Sequence, residues 1–364
     1  MQPEQSQDSI RAFFKQRNQN NNISQPNQAV SINIENRRNG MKSNLNNFEI
    51  NQYIQQSEES DQYTSSSSMS SKSIDSEDQQ YLEEVDEKKE EINKLMLYIK
   101  ISEQIEDYDI MCEYVRSLVN ISERIKYYYF DQNQRNWAQS AFHMAANKRR
   151  VAIRAIHQYE HMQERQKDIK AQKTIQWYRE QIENELKEIC LEAIQMTDSQ
   201  LKTINLIKMN KDQFDVEAYL FFNKMKGDFY RYYGEVLEDI DLKENTYKAE
   251  QAYQEAWKFV SDKNNLNDQI KQMGQNINKS DVIRISIGLN YSVFLYEMQN
   301  NLQKAYDIAS KTFEMTVQDR EILDFEEEYY KDCIAPIQIL RENIQMWEAQ
   351  LEIINQEKQN NEIQ

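Results

Sequence analysis

The sequence predicts an all-α protein, on three observations. Five glycines and three prolines are spread over 364 residues, and beyond residue 90 Pro336 is the single proline. From Lys88 onward apolar residues recur at spacings of three, four and seven, the period of an amphipathic helix. No stretch alternates apolar and polar residues long enough to read as a strand.

The elements follow in order. Residues 1–88 are rich in Asn, Gln and Ser, including Ser65 to Ser68. So little apolar surface cannot offset the entropy of ordering a backbone, and this extension reads as disordered. A helical domain follows over 89–353, and 354–364 is a polar tail. Nine helices are expected, over about 91–103, 107–121, 132–163, 167–197, 213–238, 246–261, 281–298, 302–317 and 321–353. Asp107 is placed to cap the second. A polar loop from Thr203 to Asp212 separates the fourth from the fifth. An Asn-rich loop precedes the seventh. Ala249 to Tyr253 and Leu302 to Tyr306 are similar, which hints at stacked helical hairpins of tetratricopeptide type.

Net charge is −17, which argues against general nucleic-acid or anionic-membrane binding. Cys112, Cys190 and Cys333 show no paired spacing, as in a reducing cytoplasm. No apolar run approaches the ~18 residues of a membrane span. Neither a cofactor motif nor a metal-ligand set of adequate size is present, so no enzyme chemistry is expected.

Within the fifth helix, Lys224, Asp228, Arg231 and Tyr232 stack along one face. Two cations, a carboxylate that positions them and a phenol make an anion receptor, because the guanidinium fork matches phosphate or carboxylate oxygens. A solvated charged face is the plain alternative. The third helix adds His143, Arg149, Arg150 and Arg154, and side-by-side packing would bring Arg150 and Arg231 to one anion. Arg149 and Arg154 read as scattered surface charge. Leu289, Asn290, Val293 and Glu297 share a stripe on the seventh helix, as do Ile339, Asn343 and Trp347 on the ninth. An Asn within an apolar stripe offers a donor and an acceptor to an extended peptide backbone.

These segments resemble the 14-3-3 family. Lys224 to Tyr232 is similar to its central motif, as are Arg135-Asn136, Arg149-Arg150, Gln251 to Ala256, Leu289 to Phe294, Tyr330 to Asp332 and Leu340 to Asn343. The resemblance covers about residues 90–350. It implies a cup of nine antiparallel helices that dimerises, as homo- or heterodimer, and binds phosphoserine or phosphothreonine segments without a cofactor. Residue by residue, it implies a phosphate clamp of Arg150, Arg231, Tyr232 and His143. Lys224, Asn290 and Asn343 would hold peptide backbone with Glu297 in support, and Leu289, Val293, Ile339 and Trp347 would form an apolar wall. Dimer contacts would fall at Ile101, Ile105, Asp107, Ile110, Ala152, Ile156, Tyr178, Gln181 and Glu185. A cytoplasmic or nuclear signalling adaptor is expected, the alternative being a helical scaffold for unphosphorylated partners.

Three departures stand out. His143 occupies a clamp position where the family has Lys, which suggests binding that strengthens as His143 protonates. The family's two dimer ion pairs become Asp107 with Glu185 and Ile110 with Gln181. Pro336 falls inside the ninth helix, at a cost of about 3 kcal/mol unless the helix bends or restarts there, and a bend that tilts one lip of the groove is expected. Two further motifs compete for attention. His157 to His161 spells H-x-x-E-H, but His143 is the one remaining histidine and a polar helix end explains the motif better. The basic Arg37 to Ser43 segment loosely resembles a ligand of such a groove.

Overall fold

A computed structural model describes residues 76–166, 168–211, 214–261, 278–317 and 327–362. Among these, all regular structure is helical, in nine segments: α1 Ser76–Gln104, α2 Tyr108–Ser122, α3 Gln132–Gln166, α4 Ile169–Lys211, α5 Val216–Gly234, α6 Asp239–Val260, α7 Asn278–Glu297, α8 Leu302–Val317 and α9 Glu327–Glu362.

Side-chain caps explain most of the starts. Asp107 accepts from the Ile110 amide at 3.2 Å, and Asp215 from Ala218 at 2.9 Å. Asp131 and Gln134 cap reciprocally at 2.9 and 3.0 Å, a capping box that opens α3. Asp168 and Asn301 open α4 and α8 in the same way.

Several boundaries differ from the sequence reading. α1 begins at Ser76, inside the stretch read as disordered, and residues 1–75, with the Arg37 to Ser43 segment, lie outside the described residues. The polar tail is likewise taken into α9 as far as Glu362. The expected loop from Thr203 is instead the end of α4. The reason is a buried stripe that continues through Thr197, Leu201 and Ile204, with Gln200 donating to Ser122 and accepting from the Phe130 amide. α9 runs through Pro336 without ending or restarting. The Asn-rich loop before α7 lies outside the described residues.

Each helix packs on the next in sequence, and α1, α3, α5, α7 and α9 also touch in an unbroken row. This is the layered all-α arrangement expected. One core cluster joins α1 to α5 through residues such as Phe142, Leu186, Phe222 and Phe229. A second joins α6 to α9 around Tyr253, Phe294, Leu340 and Trp347. Ala249, Ala305 and Ala309, fully buried in this second cluster, are small side chains on α6 and α8, and both helices pack on α7. Tyr230 of α5 packs against both clusters, so the helix carrying the anion-receptor face is also the seam of the fold.

Candidate functional site

α5 presents one side to α3 and another to α6 and α7. Gly227 sets the distance to α6, since a Cβ there would stand 2.9 Å from the Tyr253 ring. That closeness lets the Tyr253 hydroxyl donate to Asp228 at 2.5 Å. Lys224 reaches the other Asp228 oxygen at 2.8 Å, and the Asn290 amide of α7 donates at 2.8 Å. Burial alone would raise the Asp228 pKa. The charges of Lys224 and Arg231 and the bonds from Lys224 and Tyr253 outweigh it and hold the carboxyl below its ordinary value.

The second half of the site is centred on Tyr232. Both guanidinium groups lie over its ring, Arg150 at 4.2 Å and Arg231 at 4.9 Å from the ring centre. Arg150 forks onto Glu235 at 2.8 and 2.5 Å, and Arg231 pairs with Glu297 of α7 at 3.2 Å. Arg150, Arg231 and Glu297 are buried, whereas Glu235, just past the end of α5, stays open to solvent. The Tyr232 hydroxyl lies 3.2 Å from His143 Nδ1. Burial, then the charge of Arg150, pushes the His143 pKa down to about 3. His143 is therefore neutral at physiological pH in the unoccupied protein, and burial sets its protonation well below the ordinary imidazole range.

α3 and α5 do pack together, so Arg150, Arg231, Tyr232, His143, Lys224, Asn290 and Glu297 converge as the sequence suggested. Leu289, Val293 and Trp347 are buried in one cluster, with Ile339 half-buried against it. Asn343 is buried nearby. Around this cluster, Arg231 Nε, Asn343 Nδ2 and Trp347 Nε1 are buried donors without an acceptor among the described residues. Sequence reasoning left out Glu235. It falls just past Gly234, at the end of α5, where no periodic pattern marks it.

The dimer-contact positions divide. Ile101, Ile105, Ile110 and Tyr178 are exposed, with Gln181 and Glu185, whereas Ile156 is buried and Ala152 partly so. Asp107 is committed to capping α2. Glu185 accepts from Arg149 at 2.9 Å, and Arg149 also pairs with Asp109. Arg149 is thus a bridge between α2, α3 and α4, not scattered surface charge. In the H-x-x-E-H segment, Glu160 pairs with Arg179 at 3.0 Å and lies 3.1 Å from His157. Its carboxylate serves helix packing.

Fold and cluster together define a class: an all-helical protein with a cation–carboxylate cluster between its odd-numbered helices. A family model described as "14-3-3 protein" matches residues 98–348. "14-3-3-like protein 2" of Caenorhabditis elegans is 30% identical over 262 residues, 72% of this chain and 92% of that protein. "14-3-3 protein 2" of Entamoeba histolytica is 29% identical over 257 residues, 71% of this chain and 96% of that protein. "14-3-3 protein beta/alpha-A" of Xenopus laevis is 29% identical over 258 residues. The chain belongs to the 14-3-3 family, whose members are non-enzymatic adaptors. Among the described residues no helix is long and apolar enough to cross a membrane.

Proposed function

We propose that this chain is a phosphoserine- and phosphothreonine-dependent adaptor that holds phosphorylated partner segments between α3, α5, α7 and α9 and acts as a homo- or heterodimer in the cytoplasm. The observation that carries the reading is the stacking of two buried guanidinium groups over one phenol, beside a donor on Arg231 that has no acceptor. A phosphate ester brings nearly two negative charges and three acceptor oxygens, which two forks and a phenol satisfy. Lys224, Asn290 and Asn343 are suited to the peptide backbone, and Leu289, Val293, Ile339 and Trp347 to its apolar side chains. Occupancy then shifts the conformation or location of the partner by differential binding.

Fluorescence anisotropy with a phosphoserine peptide and its unphosphorylated twin tests this. Saturable binding of the phosphorylated form alone is expected, with a loss of about 2–5 kcal/mol in Arg231→Ala. Equal affinity for both peptides would instead support a scaffold for unphosphorylated segments.

A further inference from the structure

We infer that occupation of this clamp by a phosphate dianion takes up a proton, and that His143, through Tyr232, is its acceptor. The inference rests on the phosphopeptide reading above.

The ligand-free cluster is balanced in charge. Arg150, Arg231 and Lys224 face the carboxylates of Glu235, Glu297 and Asp228, each within ion-pair distance of its partner. From α4 the Cys190 thiol faces the Arg150–Glu235 pair, and burial keeps it protonated. On the α2 side, Asp109 is taken up by Lys148 and Arg149. A site with a lysine in place of His143 would hold one net positive charge before ligand arrives. This one holds none, so an entering dianion leaves two negative charges in a desolvated pocket.

His143 is placed to answer that imbalance. It is 7% exposed, its ring centre is 5.7 Å from that of Tyr232, and the two share one hydrogen bond. A phenol holds one proton and donates one bond. If Tyr232 turns that proton toward the phosphate, its oxygen becomes an acceptor, and His143 Nδ1 can fill it by binding a proton from solvent. The balance is one proton gained by the imidazole and none lost by Tyr232. The same negative charge reverses the depression that burial and Arg150 impose on the ring. His143 would then distinguish ligands by charge, being recruited by a dianion and left neutral by a singly charged carboxylate.

Calorimetry with one phosphoserine peptide, in buffers of differing ionisation enthalpy, reads the proton count directly. Wild type is expected to take up a measurable fraction of a proton per peptide at pH 7, and more as the pH is lowered. His143→Gln keeps a group able to bond Tyr232 but cannot titrate, and should show no uptake, leaving the small proton release that accompanies binding of the peptide phosphate as a dianion. His143→Lys should bind with no uptake of its own and serves as the second variant if the glutamine protein is poorly folded. Equal uptake in wild type and both variants would overturn the assignment to His143 while leaving the phosphopeptide reading intact. Failure of wild type and His143→Lys alike to bind the peptide would overturn that reading, and this inference with it.

Discussion

Arg150 is clamped from two sides, by the Tyr232 ring at 4.2 Å and by a bidentate bond to Glu235. Burial would lower its pKa, but the charge and bond of Glu235 raise it instead. A fully desolvated guanidinium without its carboxylate is costly. Glu235→Gln keeps the shape and one acceptor but removes the charge, so the unfolding free energy should fall by about 2–4 kcal/mol. Urea denaturation followed by circular dichroism checks it, and unchanged stability would show that Arg150 is held by other means.

His143 makes ligand-free stability depend on pH. Its folded pKa of about 3 lies below the ordinary 6.5, so between those values the unfolded chain binds a proton that the folded chain refuses. Stability is complete above about pH 6.5 and declines as pH falls. At pH 5 the His143 contribution should amount to about 2 kcal/mol lost relative to pH 7. His143→Gln should lack that decrement. Parallel denaturation curves at the two pH values, showing the same loss in both proteins, would contradict it.

Gly227 explains why the receptor face tolerates no side chain at that position. A methyl there would meet the Tyr253 ring at 2.9 Å, and the ring cannot retreat without loosening its bond to Asp228. Gly227→Ala should therefore destabilise by about 1–3 kcal/mol despite its better helix propensity. A thermal midpoint equal to or above that of wild type would refute the claim.

The site was legible because its residues repeat at helical spacing on faces that turn inward. Lys224, Asp228, Arg231 and Tyr232 could be placed on one face from their numbers alone. Their partners were harder to see. Glu235 and Tyr253 reach the cluster across a helix end and from a neighbouring helix, and spacing along one helix does not encode such contacts. His143 was assigned its ordinary solution pKa, and burial is the property a sequence shows least. The end of α4 was read as a loop because the stretch from Thr203 to Asp212 is polar. The helix continues into it because Gln200 is hydrogen-bonded inside the core and Leu201 and Ile204 continue the buried stripe. Pro336 lies within α9, which continues past it as a helix at the local cost of one missing backbone hydrogen bond.

Self-association is where altered charges meet an apolar surface. The resemblance suggested that Asp107 and Glu185 would repel across a dimer interface. Within one protomer, however, Asp107 caps α2 and Glu185 holds Arg149, so neither needs a partner from a second copy. What remains unpartnered is apolar: Ile105 at 65% exposure, Trp177 at 61% and Tyr178 at 54%, with Ile101 on α1 and Val151 on α3 exposed as well. Burial of such side chains contributes about 1.5–3 kcal/mol each at most, far more than exposed ion pairs at about 0–1. Dimerisation should therefore be insensitive to salt between low ionic strength and about 0.5 M, where surface charge is screened within a few ångströms. Ile105→Glu should abolish it, by placing a charge in the apolar seam. Sedimentation equilibrium reads both outcomes, and wild type that is monomeric at micromolar concentration, or a dimer that dissociates with added salt, would refute an apolar dimer face.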